Sequence, residues 1–240
     1  MTYFLVNTNF PAEFCAWLES YGTVLRVPPF SALDFPVCSH PDMLAVNVCG
    51  TLFVYAEHTA FISILKKYGI PFRTVAAKAG KLYPADVALN LFAHGNLLFA
   101  CEKHASREVL NYAKEQCLTL VNVRQGYAKC SVMPVGNALV TADTGIYKAA
   151  RTHGVDALLI SPGHIGIEKY GTGFIGGASA TFGAKKVCLF GNILSHPDGE
   201  KILAFAEAHG FRSVTLGDAR LRTETAAVVA TVMVATVNQM

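Results

Sequence analysis

Cys130 stands in the stretch KCS, between Lys129 and Ser131, just ahead of the apolar run VMPV. A thiol attacks carbon as its thiolate, and a neighbouring cation lowers the pKa that controls the thiolate fraction. Lys129 is such a cation. Two histidines are candidate bases: His40, in the phrase SHPDM beside Asp42, and His164, in the loop segment SPGHIG. The chemistry these residue types offer together is covalent attack by sulfur on an electrophilic carbon, with an imidazole moving the proton.

Other patterns in the chain point away from metals, cofactors and polymers. Cys38-x-His40 and Cys101-x-x-His104 lack second pairs at structural zinc spacing, so no structural metal is expected. Gly171-x-Gly173-x-x-Gly176 has the letters of a dinucleotide fingerprint. It is followed by a Gly/Ala/Ser run rather than an amphipathic helix, and no cofactor is expected. The four letters SHPD recur at 195–198, where Ser195 or His196 is expected to cap a helix with Pro197 at its first position. The formal charge of +3 is spread without any basic run, which excludes a nucleic-acid footprint and a basic membrane-binding patch. The apolar tail 225–237 has thirteen residues against the ~20 that a membrane helix needs, so it is expected to be buried strand. Seven cysteines without framework spacing, and no signal-peptide pattern, lead to an expectation of a reducing cytoplasm.

A phrase that repeats along the chain positions these residues. ESYGTVLRV (19–27), KKYGIPFRTV (66–75), RTHGVDALLIS (151–161) and EAHGFRSVTL (207–216) each read as a helix end, a glycine and a β-rich run. NYAKEQCLTLVNV (111–123) makes the same passage at Cys117 without a glycine. These five points are about 48 residues apart on average when the 240-residue chain is closed into a circle. Between them lie expected hairpins at 43–55, 87–100, 130–142 and 175–190, each followed by an expected helix: 57–68, 103–116, 143–153 and 197–209. A fifth hairpin at 226–237 belongs with the helix at 11–20 and the strand at 23–27, so the chain ends are expected to pair.

Five strand–strand–helix–strand units of this length resemble the pentein β/α-propeller superfamily. RQGYAKCSVMPVGNALVTAD, with GFIGGASATFG, is similar to its small uncharacterised bacterial members. The resemblance implies an α/β fold: a five-bladed propeller of ββαβ units with pseudo-fivefold symmetry. It implies a single domain over 1–240, with units at about 225–240 plus 1–30, 42–80, 85–124, 128–161 and 173–217. It further implies a pocket on the axis, where the starts of the first strands meet. In this chain those starts bring Asp42, Asp86, Lys129 with Cys130, Phe174 and Glu224.

Enzymes of the superfamily modify guanidino groups with a cysteine nucleophile and a histidine acid, holding the cation with carboxylates. Asp42, Asp86 and Glu224 stand where carboxylates are needed, and paired charged hydrogen bonds fix the plane of such a cation. The family's cysteine would fall in 220–229 and its histidine in 173–180, and this chain has neither there. Two functions follow. One is a hydrolase or transferase acting on a small amidine, guanidine or cationic substrate, with Cys130, His164 and His40 catalytic and Asp42, Asp86, Glu224 and Lys129 binding substrate. The other is a non-catalytic binding protein of the same fold, for a small ligand or for a protein or ribosomal partner.

Overall fold

A computed structural model describes residues 2–167, 169–182, 185–216 and 232–236. Strand β1 (Thr2–Val6) leads to helix α1 (Ala12–Glu19) and strand β2 (Thr23–Arg26). A short helix α2 (Pro41–Leu44) opens the next group, β3 (Ala45–Val48), β4 (Thr51–Tyr55), α3 (Thr59–Lys67) and β5 (Phe72–Val75). The same order returns in β6 (Phe92–His94), β7 (Leu97–Ala100), α4 (Arg107–Glu115) and β8 (Thr119–Asn122). It returns again in β9 (Val132–Val135), β10 (Ala138–Thr141), α5 (Thr144–Thr152) and β11 (Asp156–Leu159). Last come β12 (Ser179–Phe182), β13 (Lys186–Phe190), α6 (Gly199–Ala208) and β14 (Arg212–Leu216), then β15 (Val232–Thr236).

These strands form five separate three-stranded sheets. In four of them a hairpin pairs antiparallel and the strand after the helix adds in parallel to the hairpin's second strand. The fifth has the order β15-β1-β2: Phe4 faces Val234 antiparallel and Val24 in parallel. Middle strands β4, β7 and β10 are buried along nearly their whole length, as strands covered on both faces must be. The helices are amphipathic. In α4, for example, Val109, Tyr112 and Ala113 point into the core while Glu108 and Lys114 stay outside.

The junctions explain why the repeated phrase works. Gly69, Gly154 and Gly210 have left-handed φ of +63°, +76° and +74°, and Cys117 takes the same conformation at +59°. Gly22 is used differently, because a Cβ there would press into the carbonyl oxygen of Thr2 on the adjoining strand. Three expectations shift. Helix α6 begins at Gly199 behind Asp198, so neither Ser195 nor His196 is its cap and Pro197 precedes it. His196 instead closes the 3₁₀ turn Ile193–Ser195, just as His40 follows the 3₁₀ turn Phe35–Val37, so the two SHPD segments are locally alike. Asp42 sits in α2, one turn ahead of β3, rather than at the strand start. Of the tail 225–237, Val232–Thr236 is strand and the remainder lies outside the described residues. Among the described residues no helix is long and apolar enough to cross a membrane.

Candidate functional site

The segments that precede β3, β6, β9 and β12 converge on a cavity of about 180 Å³ lined by His40, Asp42, Asp86, Tyr127, Cys130 and Phe174, among others. α2 brings in Asp42, which is almost fully buried. The Cys130 thiol donates to Asp42 Oδ2 at 2.8 Å, and Asp42 Oδ1 has no hydrogen-bond partner among the described residues. Asp86 accepts from the Tyr127 hydroxyl at 2.6 Å through Oδ2, and its Oδ1 is likewise buried and unpartnered among the described residues. Two carboxylate oxygens are thus withdrawn from water with no donor assigned to them, an arrangement that costs free energy unless a ligand supplies one. Phe174 packs its ring 5.7 Å from that of Tyr127 and makes an aromatic wall.

One residue that the repeats did not single out ties this cavity together. Asn90, in the turn before β6, donates through Nδ2 to Cys130 Sγ at 2.8 Å and to the Asp42 carbonyl at 3.1 Å. Its Oδ1 accepts from the backbone N–H groups of Lys129 and Cys130 at 2.9 and 3.2 Å. A lone polar residue inside the apolar run VALNLFA was the signal, because an amide at only 1% exposure must be satisfied internally. Tyr127 was missed as well, and nothing in its neighbourhood marks it in the sequence.

Electrostatics at Cys130 run against the expectation from its neighbour. Burial pushes the thiol well up, the Asp42 carboxylate pushes it further, and the Asn90 amide and Lys129 cation oppose this only weakly. The thiol is therefore held as a proton donor. Burial lowers His40, with the Asp42 charge pulling the other way, so its imidazole is neutral at pH 7. Tyr127 is pushed up by burial and then by Asp86, so its hydroxyl stays a donor to that carboxylate.

The structure joins Cys130, His40, Asp42 and Asp86 in one place and puts two other candidates elsewhere. His164 lies at an exposed position with its ring 5.6 Å from His196, lining a different, smaller cavity. Lys129, in the turn that precedes β9, lines a second cavity together with Val46, Phe92 and Val132. Glu224 lies outside the described residues.

The model of the Family of unknown function (DUF6873) matches residues 5–223. The chain belongs to this family. A search of curated sequences returns no match. Among solved structures, DDAH from Pseudomonas aeruginosa in complex with citrulline is similar at a TM-score of 0.56 and 9% identity, over 96% of this chain and 98% of that one. SxtG, an amidinotransferase from Microseira wollei in the saxitoxin biosynthetic pathway, is similar at a TM-score of 0.55 and 15% identity, over 85% and 73% of the two chains. The agmatine deiminase of C. jejuni is similar at 0.55 and 8% identity, over 96% and 92%. All three have the pentein fold, so this DUF6873 chain shares that fold.

Proposed function

We propose that this protein is a hydrolase or transferase of small amidine- or guanidine-type cations, with its site in the cavity shared by Asp42, Asp86, Cys130 and His40. In this reading the five sheets are the blades of a pentein β/α-propeller forming one domain, with unit limits as the repeats give them, and the cavity lies on its axis. The observation that carries it is the pair of buried carboxylates, each with an oxygen lacking a donor among the described residues, beside a thiol hydrogen-bonded to one of them. The fold neighbours, an amidinotransferase, DDAH and an agmatine deiminase, support the same class of substrate.

A planar cation seated between the carboxylates brings N–H donors to Asp42 Oδ1 and Asp86 Oδ1. Its charge, close to Sγ, stabilises the thiolate and offsets the burial that otherwise holds the thiol protonated. The thiol proton passes to Asp42 Oδ2 along the existing hydrogen bond. Sulfur then bonds to the amidine carbon, the C–N bond to one amine breaks, and that nitrogen leaves with the proton from Asp42. Neutral His40 is available as base for the water, or the acceptor amine, that displaces sulfur and restores the thiol.

The test is incubation with guanidine, benzamidine, agmatine and arginine, following binding by calorimetry and the covalent adduct by intact mass after acid quench. Cys130→Ala should abolish adduct and turnover while binding persists, and Asp86→Asn should weaken binding by tenfold or more. Unchanged affinity and activity in both variants would refute the site. A second reading, a binding protein without turnover, is favoured by the raised Cys130 pKa and the absence of His in 173–180 and Cys in 220–229. It predicts binding that Asp86→Asn weakens, with no adduct for any of the four probes.

A further inference from the structure

Behind Cys130 lies a second cavity of about 180 Å³, walled by strands from four different sheets: β3, β6, β9 and β12. Its walls are apolar and buried at Val46, Leu91, Phe92, Val132 and Ala180. Its polar groups are unevenly committed. Ser179 Oγ donates to the Ile175 carbonyl at 2.8 Å and Thr181 Oγ1 to the Pro134 carbonyl at 2.6 Å, so neither hydroxyl hydrogen is free for a ligand. Asn47 Oδ1 accepts from Gly50 N–H at 3.0 Å, which leaves its NH₂ as the uncommitted end. The Lys129 ammonium has no ion-pair partner among the described residues. No carboxylate is among the described residues that line the cavity.

We propose that this cavity is a second ligand site, distinct from the Cys130 cavity, which takes a small carboxylate with an apolar body, anchored by Lys129 and Asn47. The reasoning is complementarity. Two donors without partners among the described residues, one of them charged, call for an acceptor, and a carboxylate meets an ammonium as a charge-assisted hydrogen bond. A phosphate would need more donors than these two supply. Apolar walls call for a hydrocarbon body, and the volume sits below the roughly 300–1,000 Å³ of pockets for drug-sized ligands. The site stands independently of the guanidine reading, since it shares no lining residue with the Cys130 cavity.

Titration calorimetry of the whole chain with hexanoate, benzoate, hexylamine and inorganic phosphate tests it. Hexanoate or benzoate should bind in the millimolar range or tighter, hexylamine and phosphate at least tenfold more weakly. Lys129→Met should cost at least tenfold, Lys129→Arg should retain binding, and Asp86→Asn should leave it unchanged. Ala93→Leu keeps Lys129 and fills the cavity, so it should also abolish carboxylate binding if Lys129→Met does not fold. The proposal is overturned if neither carboxylate binds the folded protein, if phosphate or hexylamine binds as tightly, or if Lys129→Met or Ala93→Leu binds like the parent.

Discussion

Asn90 shows how a single uncharged side chain organises the candidate site. Its amide reaches the thiol, the Asp42 backbone and two successive backbone N–H groups, and none of these bonds depends on protonation of the asparagine itself. Elsewhere in the core a residue is sensitive to pH. His58 is buried against Phe30, ring centroids 4.7 Å apart and nearly parallel, and burial brings it down to about 4 against a smaller pull from the Pro28 backbone. Folded protein keeps His58 neutral while the unfolded chain takes up a proton below about pH 6.5. Stability present above that pH is therefore lost as pH falls toward 4. At pH 5 the share of His58 is about 2 kcal/mol, and His58→Phe, which keeps the stacking, should shrink the drop in urea midpoint between pH 7 and 5. An equal drop in parent and variant would assign the acid sensitivity to other groups. At this scale the sequence marked Cys130, His40, Asp42 and Asp86, because repeats place strand approaches in register. Lys129 lines the second cavity, because residues 128–131 form a turn closed by the Ser131 N–H on the Tyr127 carbonyl, and repeat spacing does not say which way a turn residue points.

Among the elements, helix ends were the most legible feature, because a left-handed residue after a helix leaves a glycine in the sequence. Cys117 occupies that conformation with a side chain attached. An L-residue in the left-handed region costs about 1 kcal/mol, partly offset by the greater unfolded-chain entropy of glycine. Cys117→Gly should therefore raise stability by about 0.5 kcal/mol, read as a higher urea midpoint with unchanged slope. A lower midpoint would mean that the exposed Cys117 side chain makes contacts worth more than the strain. Helix starts were less legible. Asp198 rather than Ser195 precedes α6 because the 3₁₀ turn at 193–195 uses up the preceding residues, and α4 begins at Arg107, four residues later than the periodicity suggested. Caps are set by short turns whose geometry depends on what they pack against, and hydrophobic period carries no record of that.

For the molecule as a whole, the pairing of β15 with β1 joins segments more than 200 positions apart, from Thr2 against Thr236 to Val6 against Val232. A chain ending at residue 231 would leave β1 with one neighbour and an open edge. It should melt at a lower temperature or without a cooperative transition, and form larger species in size-exclusion chromatography. A truncated chain with the parent's melting temperature would show that this pairing contributes little. The count of five and a pocket ahead of the first strands were legible because the spacing recurs, whereas the second cavity was not, since it exists only between strands of four sheets.

The contacts around Cys130 span 88 positions to Asp42 and 40 to Asn90. The site is complete only when three successive units meet, because His40 and Asp42 precede β3, Asp86 and Asn90 precede β6, and Tyr127 and Cys130 precede β9. Occupancy is then a readout of complete assembly: a ligand bound there stabilises every sheet at once by mass action, and a lesion in a distant hairpin would first be felt as lost binding.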